Sequence, residues 1–193
     1  MADALKYGDR VNIQNGYNGW TGGYLDTNGH SSSGAGAMYG VSTTETPARG
    51  QGTGTWEILP TNGKNTGDQV MSGDVVLLRN LYANDGGYLD TNGHATPAQG
   101  PSAKYAVSTN KEPDRATQGT GSWRIFAQTS SPTDQAVREN DVVYLWNLYS
   151  PTGSFLETNG HSTASGAKYN VCTDAYWNRS SDVGSWRMTK AKA

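Results

Sequence analysis

Apolar residues in this chain come in short alternating runs. Val11 and Ile13 mark "GDRVNIQN" from Gly8, Val76 and Leu78 mark "GDVVLLRN" from Gly73, and Val143 and Leu145 mark "NDVVYLWN" from Asn140. Alternate side chains of a strand face the same way, so these runs read as half-buried strands. After a short turn each run leads into one phrase, "GYLDTNGH" at 23–30 and again at 87–94, and "SFLETNGH" at 154–161. A third strand follows, "AMYGVST", "AKYAVST" or "AKYNVCT", and then a closing strand, "GTWEIL", "GSWRIF" or "GSWRMT". No helical period of useful length interrupts the pattern.

The closing tryptophans Trp56, Trp123 and Trp186 set an internal period of about 65 residues. The joins, "PTNGKNTGDQ" and "QTSSPTDQA", are polar and carry glycine or proline. A unit of this size cannot bury its apolar face alone, whereas three units can share a core. The expected architecture is therefore all-β with almost no helix, a β-trefoil of three internal repeats with four strands each, six strands forming a barrel that three hairpins close. The expected domain is a single one over 1–193, with repeats 5–69, 70–136 and 137–190. A propeller is the rival, but propellers rarely have as few as three blades.

Most repeated residues have a structural reading within that frame. Leu25, Leu89 and Leu156 sit mid-strand and are expected in the core, together with the closing tryptophans and with Tyr39, Tyr105 and Tyr169. Cys172 aligns with Ser42 and Ser108 and reads as a small strand residue. Asp9, Asp74 and Asp141 each precede a strand and are expected to fix turns.

Composition narrows the function classes. Fifteen basic residues against seventeen acidic ones leave a net charge of −2, which is no footprint for nucleic acid. No basic run suits an anionic membrane and no apolar run reaches spanning length. The first residues, "MADALKYGDR", hold no apolar signal region. One cysteine cannot form an intrachain disulfide framework. The cytosol is the default expectation, non-classical release being compatible with it. One sequon, Asn178-Arg179-Ser180, is a weak match that needs a secretory route.

The phrase itself holds more polar chemistry than a turn needs. Asn28-Gly29, Asn92-Gly93 and Asn159-Gly160 are hairpin signals. The segments after each phrase vary in length and composition, yet Asp26, Asn28 and His30, Asp90, Asn92 and His94, and Glu157, Asn159 and His161 keep their spacing. The chain's three histidines all end a copy. Two readings stand side by side: ligand binding, or capping of the adjoining loop. Arg49, Arg115 and Arg179 recur seven or eight residues before the closing tryptophans and either bind ligand or brace the repeat's carboxylate. Tyr17, Tyr82 and Tyr149 precede the phrases and are further candidates, while the unrepeated Trp20 and Trp177 would make the sites unequal.

"YLDTNG" and the tryptophan that ends each repeat resemble the β-trefoil lectins, the ricin-B-like family broadly. The resemblance implies a carbohydrate-binding protein in which Asp26, Asp90 and Glu157 accept hydrogen bonds from neighbouring sugar hydroxyls. The Gln-x-Trp signature of that family is replaced by Gly-Thr-Trp or Gly-Ser-Trp, and Ser42, Ser108 and Cys172 stand near its stacking aromatic. "YGDRV" followed by "YLDTNGH" looks like the MIR modules, and fascin-type trefoils are a third relative.

Catalysis is disfavoured, because no second carboxylate recurs beside the first for glycoside hydrolysis. A metal site is disfavoured too, since symmetry would hold the histidines on separate hairpins. No cofactor is implied. The expected function is multivalent glycan binding, with glycans or glycoconjugates as partners, neither nucleic acid nor membrane insertion, and homodimerisation compatible with the arrangement. The alternative is a protein-interaction module such as a protease inhibitor or cytoskeletal binder. Glu157 carries one methylene more than its counterparts, so the third site is expected to differ in affinity or preference.

Overall fold

The computed structural model describes residues 2–192 apart from 48, 62, 101, 150 and 151, and nothing is drawn from the side chain of residue 116. Parts of the first join and of the turn after Tyr149 thus lie outside the described residues. Twelve strands account for the regular structure: β1 (Arg10–Asn15), β2 (Tyr24–His30), β3 (Ala37–Thr44), β4 (Trp56–Pro60), β5 (Val75–Asn80), β6 (Tyr88–His94), β7 (Tyr105–Asn110), β8 (Trp123–Ala127), β9 (Val143–Asn147), β10 (Ser154–His161), β11 (Tyr169–Asp174) and β12 (Trp186–Lys190). Helix among the described residues is confined to turns of three or four residues.

The expected β-trefoil with four strands to a repeat is corrected by the hydrogen bonding. All twelve strands form one sheet, and ten of them close a circuit, β11-β3-β2-β1-β12-β9-β8-β5-β6-β7, which returns to β11 through the β7–β11 pair. β4 bridges β1 and β5, and β10 bridges β9 and β11. The reason lies in the ladders. Gln14↔Tyr24, Arg79↔Tyr88 and Phe155↔Trp146 tie the phrase strands to the strands before them. Gly40↔Ser108, Cys172↔Ala106 and Asn170↔Ser42 tie β3, β7 and β11 to one another. Hairpins bonded on both sides are part of the barrel and not a separate cap. Closure leaves few unpaired edges.

Inside the sheet lies one core. Leu25, Leu89 and Leu156 are fully buried in it with Trp56, Trp123 and Trp186, beside Val11, Ile13, Val76, Leu78, Val143 and Leu145. Each tryptophan also answers a polar need. Its indole N–H donates to the backbone carbonyl of the phrase leucine in the same unit, Trp56 to Leu25 at 2.9 Å, Trp123 to Leu89 at 2.8 Å and Trp186 to Leu156 at 2.9 Å. A buried carbonyl without a partner is costly, so the closing strand and the phrase are locked together by one side chain. Asp9, Asp74 and Asp141 fix turns as expected, accepting from the backbone N–H of Lys6, Met71 and Arg138 at 2.8, 2.9 and 2.7 Å. Tyr39, Tyr105 and Tyr169 depart from expectation: they are only half-buried, while the valines two positions on fill the core.

Trp123→Phe is expected to cost about 2–4 kcal/mol, from lost packing and an orphaned Leu89 carbonyl. Urea denaturation measures it, and a loss under about 0.5 kcal/mol would contradict the lock.

Candidate functional site

Each phrase strand buries three successive side chains, the leucine, the acid and the threonine, and exposes the histidine at its end. Asp26, Asp90 and Glu157 are buried, with no exposed side-chain area. Their arginines reach solvent, with 32, 32 and 28% of the side chain exposed. His30, His94 and His161 are exposed at the strand ends. The carboxylates therefore stand behind the wall of any surface site, and the arginines and histidines form it.

The repeated arginine braces the repeated acid. Arg49 Nε and Nη2 donate to Asp26 Oδ1 at 3.1 and 2.7 Å, and Nη2 also donates to the Thr27 carbonyl at 2.7 Å. Arg115 Nη2 does the same more loosely, at 3.4 Å to Asp90 and 3.0 Å to the Thr91 carbonyl. Arg179 Nε spans both Glu157 oxygens at 3.4 and 3.3 Å and lies 3.8 Å from Asp174. Asn159 Nδ2 donates to Glu157 at 3.1 Å, and the buried Cys172 thiol lies 3.9 Å from it. The extra methylene of Glu157 is thus accommodated by a different set of partners.

Burial governs the charge state of these acids. It raises Asp26 above the ordinary aspartate value, with Arg49 opposing. It raises Asp90 to about 6, opposed by the Thr120 hydroxyl and Arg115. It raises Glu157 to about 7, where Arg179 opposes and the neighbouring Asp174 adds to the rise. The Thr53 and Thr120 hydroxyls influence the first two carboxylates, but Asp26 Oδ2 and Asp90 Oδ2 form no hydrogen bond of normal geometry.

Three equivalent clefts lie on the outer side of the braces. The first is lined by Thr27, His30, Tyr39, Arg49, Thr53 and Tyr82. The second has Thr91, His94, Tyr105, Arg115, Thr120 and Tyr149 at the same places. The third has Thr158, His161, Tyr169, Arg179, Val183 and Tyr17. Their volumes are 240, 330 and 280 Å³. Each histidine packs on the third-strand tyrosine, with centroids 5.2, 5.5 and 5.0 Å apart. Each of those tyrosines meets the turn tyrosine edge-on at 5.3 Å: Tyr39 with Tyr82, Tyr105 with Tyr149, Tyr169 with Tyr17.

Sequence order misassigns that last residue. Tyr82 belongs to the second repeat along the chain but to the first cleft in space, and Tyr149 and Tyr17 are displaced likewise. A trio that sequence reading missed holds them there. Asn15, Asn80 and Asn147, the last residues of β1, β5 and β9, are completely buried. Asn80 Oδ1 accepts from the Tyr82 N–H at 2.9 Å and from the Thr27 hydroxyl at 3.2 Å, and its Nδ2 donates to the Thr53 carbonyl at 2.8 Å. Asn147 serves Tyr149, Thr91 and Thr120 in the same way, and Asn15 serves Tyr17, Thr158 and Val183. The signal was present as an Asn closing each first strand, before a tyrosine two positions later.

Two of the phrase asparagines, Asn92 and Asn159, also line their clefts, and Asn28 does not. Asn92 and Asn159 are buried, and Asn28 and Asn92 donate to Ser42 and Ser108 at 3.4 Å. Asn28 lines a separate polar depression where β3, β7 and β11 meet. Trp20 lies against the Arg187 guanidinium at 4.5 Å, and the exposed Trp177 packs on Tyr144 at 5.1 Å. Among the described residues no three His, Cys, Asp or Glu side chains gather closely enough to hold a metal ion.

No family model matches the chain, and no curated protein matches it. Solved structures do. The SDF2-like protein from Arabidopsis thaliana is 19% identical over 97% of this chain and 95% of its own, with a TM-score of 0.72. The S. cerevisiae protein O-mannosyltransferase Pmt1-Pmt2 complex, solved bound to the sugar donor, matches 98% of this chain with 26% of its own at 18% identity, TM-score 0.69. The botulinum neurotoxin serotype D binding domain matches 97% of this chain with 42% of its own at 14% identity, TM-score 0.64. At such identities the likeness is one of fold.

Two outcomes are expected. Asn80→Ala takes the acceptor from the Tyr82 N–H and leaves the Thr27 hydroxyl only its long bond to the Thr53 carbonyl, at a cost of about 2–4 kcal/mol by thermal or chemical denaturation. The second concerns pH. Asp90 and Glu157 hold protons in the folded chain up to about 6 and about 7, well above the ordinary 3.8 and 4.5. Their contribution to stability is full below those ordinary values and is lost as pH rises through the folded ones. The stability of Glu157→Gln relative to the parent should therefore rise between about pH 5 and pH 8. A flat difference would show that Glu157 is ionised throughout.

Proposed function

We propose that the protein binds glycans at the three clefts between its units, without turnover. The observation that carries this reading is the recurrence of one set, arginine, histidine and two tyrosines, with one tyrosine always lent by the neighbouring unit. A ring edge or face of tyrosine suits the apolar face of a sugar, and imidazole and guanidinium supply directed hydrogen bonds to hydroxyls. The cleft volumes, 240–330 Å³, lie at or below the lower end of the roughly 300–1,000 Å³ typical of drug-sized ligands. One sugar residue per cleft fits that size.

A single monosaccharide contact near millimolar strength is worth only about 4 kcal/mol. Three on one body raise avidity on a glycan-dense surface by roughly a hundredfold or more. The structure of a neighbour bound to a sugar donor is compatible with this reading at the level of fold only. The acids are held by arginine behind the clefts, so general acid–base chemistry has no carboxylate at the surface of the site.

A glycan array is the test. The parent should retain a defined set of glycans. A single His→Ala change at residue 30, 94 or 161 should lower the signal about tenfold, and the triple change should abolish it, with the far-UV spectrum unchanged. Retention by the triple variant equal to the parent would rule the clefts out.

A further inference from the structure

The three clefts are alike in residue type but not in how their cations are satisfied. A guanidinium has five N–H donors. In the first cleft Arg49 commits Nε and Nη2 to Asp26 and Thr27. In the second, Arg115 commits only Nη2, and Nε is buried with no hydrogen-bond partner. Its Nη1 donates to no described residue. Nε is out of a ligand's reach, and the Nη1 groups of Arg49 and Arg115, uncommitted among the described residues, leave each cleft a charged donor for an acceptor.

A second cation, beside the third-strand tyrosine, distinguishes the units. The residue before the third-strand tyrosine is Met38 in the first unit, Lys104 in the second and Lys168 in the third. Lys168 is neutralised by Glu45 at 2.8 Å. Lys104 has no acid partner among the described residues: its Nζ donates to the carbonyls of Thr152 and Gly153 at 3.1 and 2.7 Å, in the segment that follows Tyr149. It also lies 5.4 Å from the Tyr105 ring centroid. The second cleft is thus the one whose tyrosine carries a lysine unpaired with any acid.

Resting on the glycan reading above, we infer that the second cleft selects an acidic sugar, a pyranose bearing a carboxylate or sulfate. The anionic group meets Nη1 of Arg115 within the field of Lys104, while the ring contacts Tyr105 and Tyr149. Nη1 carries two N–H groups and can give a charge-assisted hydrogen bond to either oxyanion. The first cleft has Met38 where the second has Lys104, and takes neutral sugars.

Titration of isotope-labelled protein, followed at the His30, His94 and His161 imidazoles, tests this. The ligands are methyl uronides and methyl glycoside 6-sulfates of the gluco, galacto and manno series, their neutral parents, and sodium sulfate. The expected result is saturable movement of His94 with affinity for at least one acidic glycoside about tenfold or more above its neutral parent, and no such preference at His30. Uronide against sulfate ester decides which oxyanion is taken. Lys104→Met, which installs the residue of the first unit, should reduce the ratio of acidic to neutral affinity at His94 about threefold or more.

Arg115→Gln paired with Asp90→Asn removes donor and brace together without leaving a buried charge, and should abolish the preference. Equal affinity for acidic and neutral glycosides, or an equal acidic preference at His30, would overturn the inference while leaving glycan binding in place. Sodium sulfate binding as tightly as any glycoside would also overturn it, by showing a bare anion site. Silence of all three histidines towards every sugar, with a blank array, would instead reject the glycan reading itself.

Discussion

The structure depends on a buried asparagine at each joint between units. Asn15, Asn80 and Asn147 lie where no water reaches, so every one of their donors and acceptors must be met by protein. Each meets a threonine of the phrase, a carbonyl before the closing tryptophan, and the backbone N–H of a turn tyrosine. Those three partners come from two different units. The amide therefore fixes how one unit sits against the next, and with it the tyrosine that completes the neighbour's cleft. Hydrogen bonds in a low-dielectric interior are individually stronger and costly to leave half made, which favours a single geometry.

Behind the clefts the same economy of partners operates on charge. A buried carboxylate is expensive, and an arginine whose head reaches solvent offsets part of that cost while presenting its remaining donors outward. Acid and arginine thus form one device: the acid orients, the arginine displays. The units differ in how completely the acid satisfies its arginine, from Arg49 with two bonds to Asp26 down to Arg115 with one long contact.

Much of this was legible in the sequence, and what was not has a physical cause. Period-two alternation and the recurring tryptophan gave the all-β character, the strands and the core leucines, because burial on one face of a strand imposes that pattern. Strand connectivity was not legible: alternation is blind to which strand is the neighbour, and the pairing of β3, β7 and β11 is a product of tertiary closure. The histidines and arginines of the candidate site were visible as repeats. Their division of labour with Asp26, Asp90 and Glu157 was not, because inward and outward positions along the phrase depend on a bulge between Asn28 and His30 and its counterparts. Tyr39, Tyr105 and Tyr169 looked like core for the same reason an aromatic on a strand usually does.

The central claim is that each site is built between units, the brace from one and the edge tyrosine from the next. Tyr82→Ala tests it most directly, read at the three histidine imidazoles with and without a glycan that the array identifies. Tyr82 meets Tyr39, on which His30 packs, so the account predicts altered His30 signals and lost glycan binding at His30, with His94 and His161 unaffected. Loss at His94, the histidine of the repeat to which Tyr82 belongs along the chain, with His30 unchanged, would contradict it.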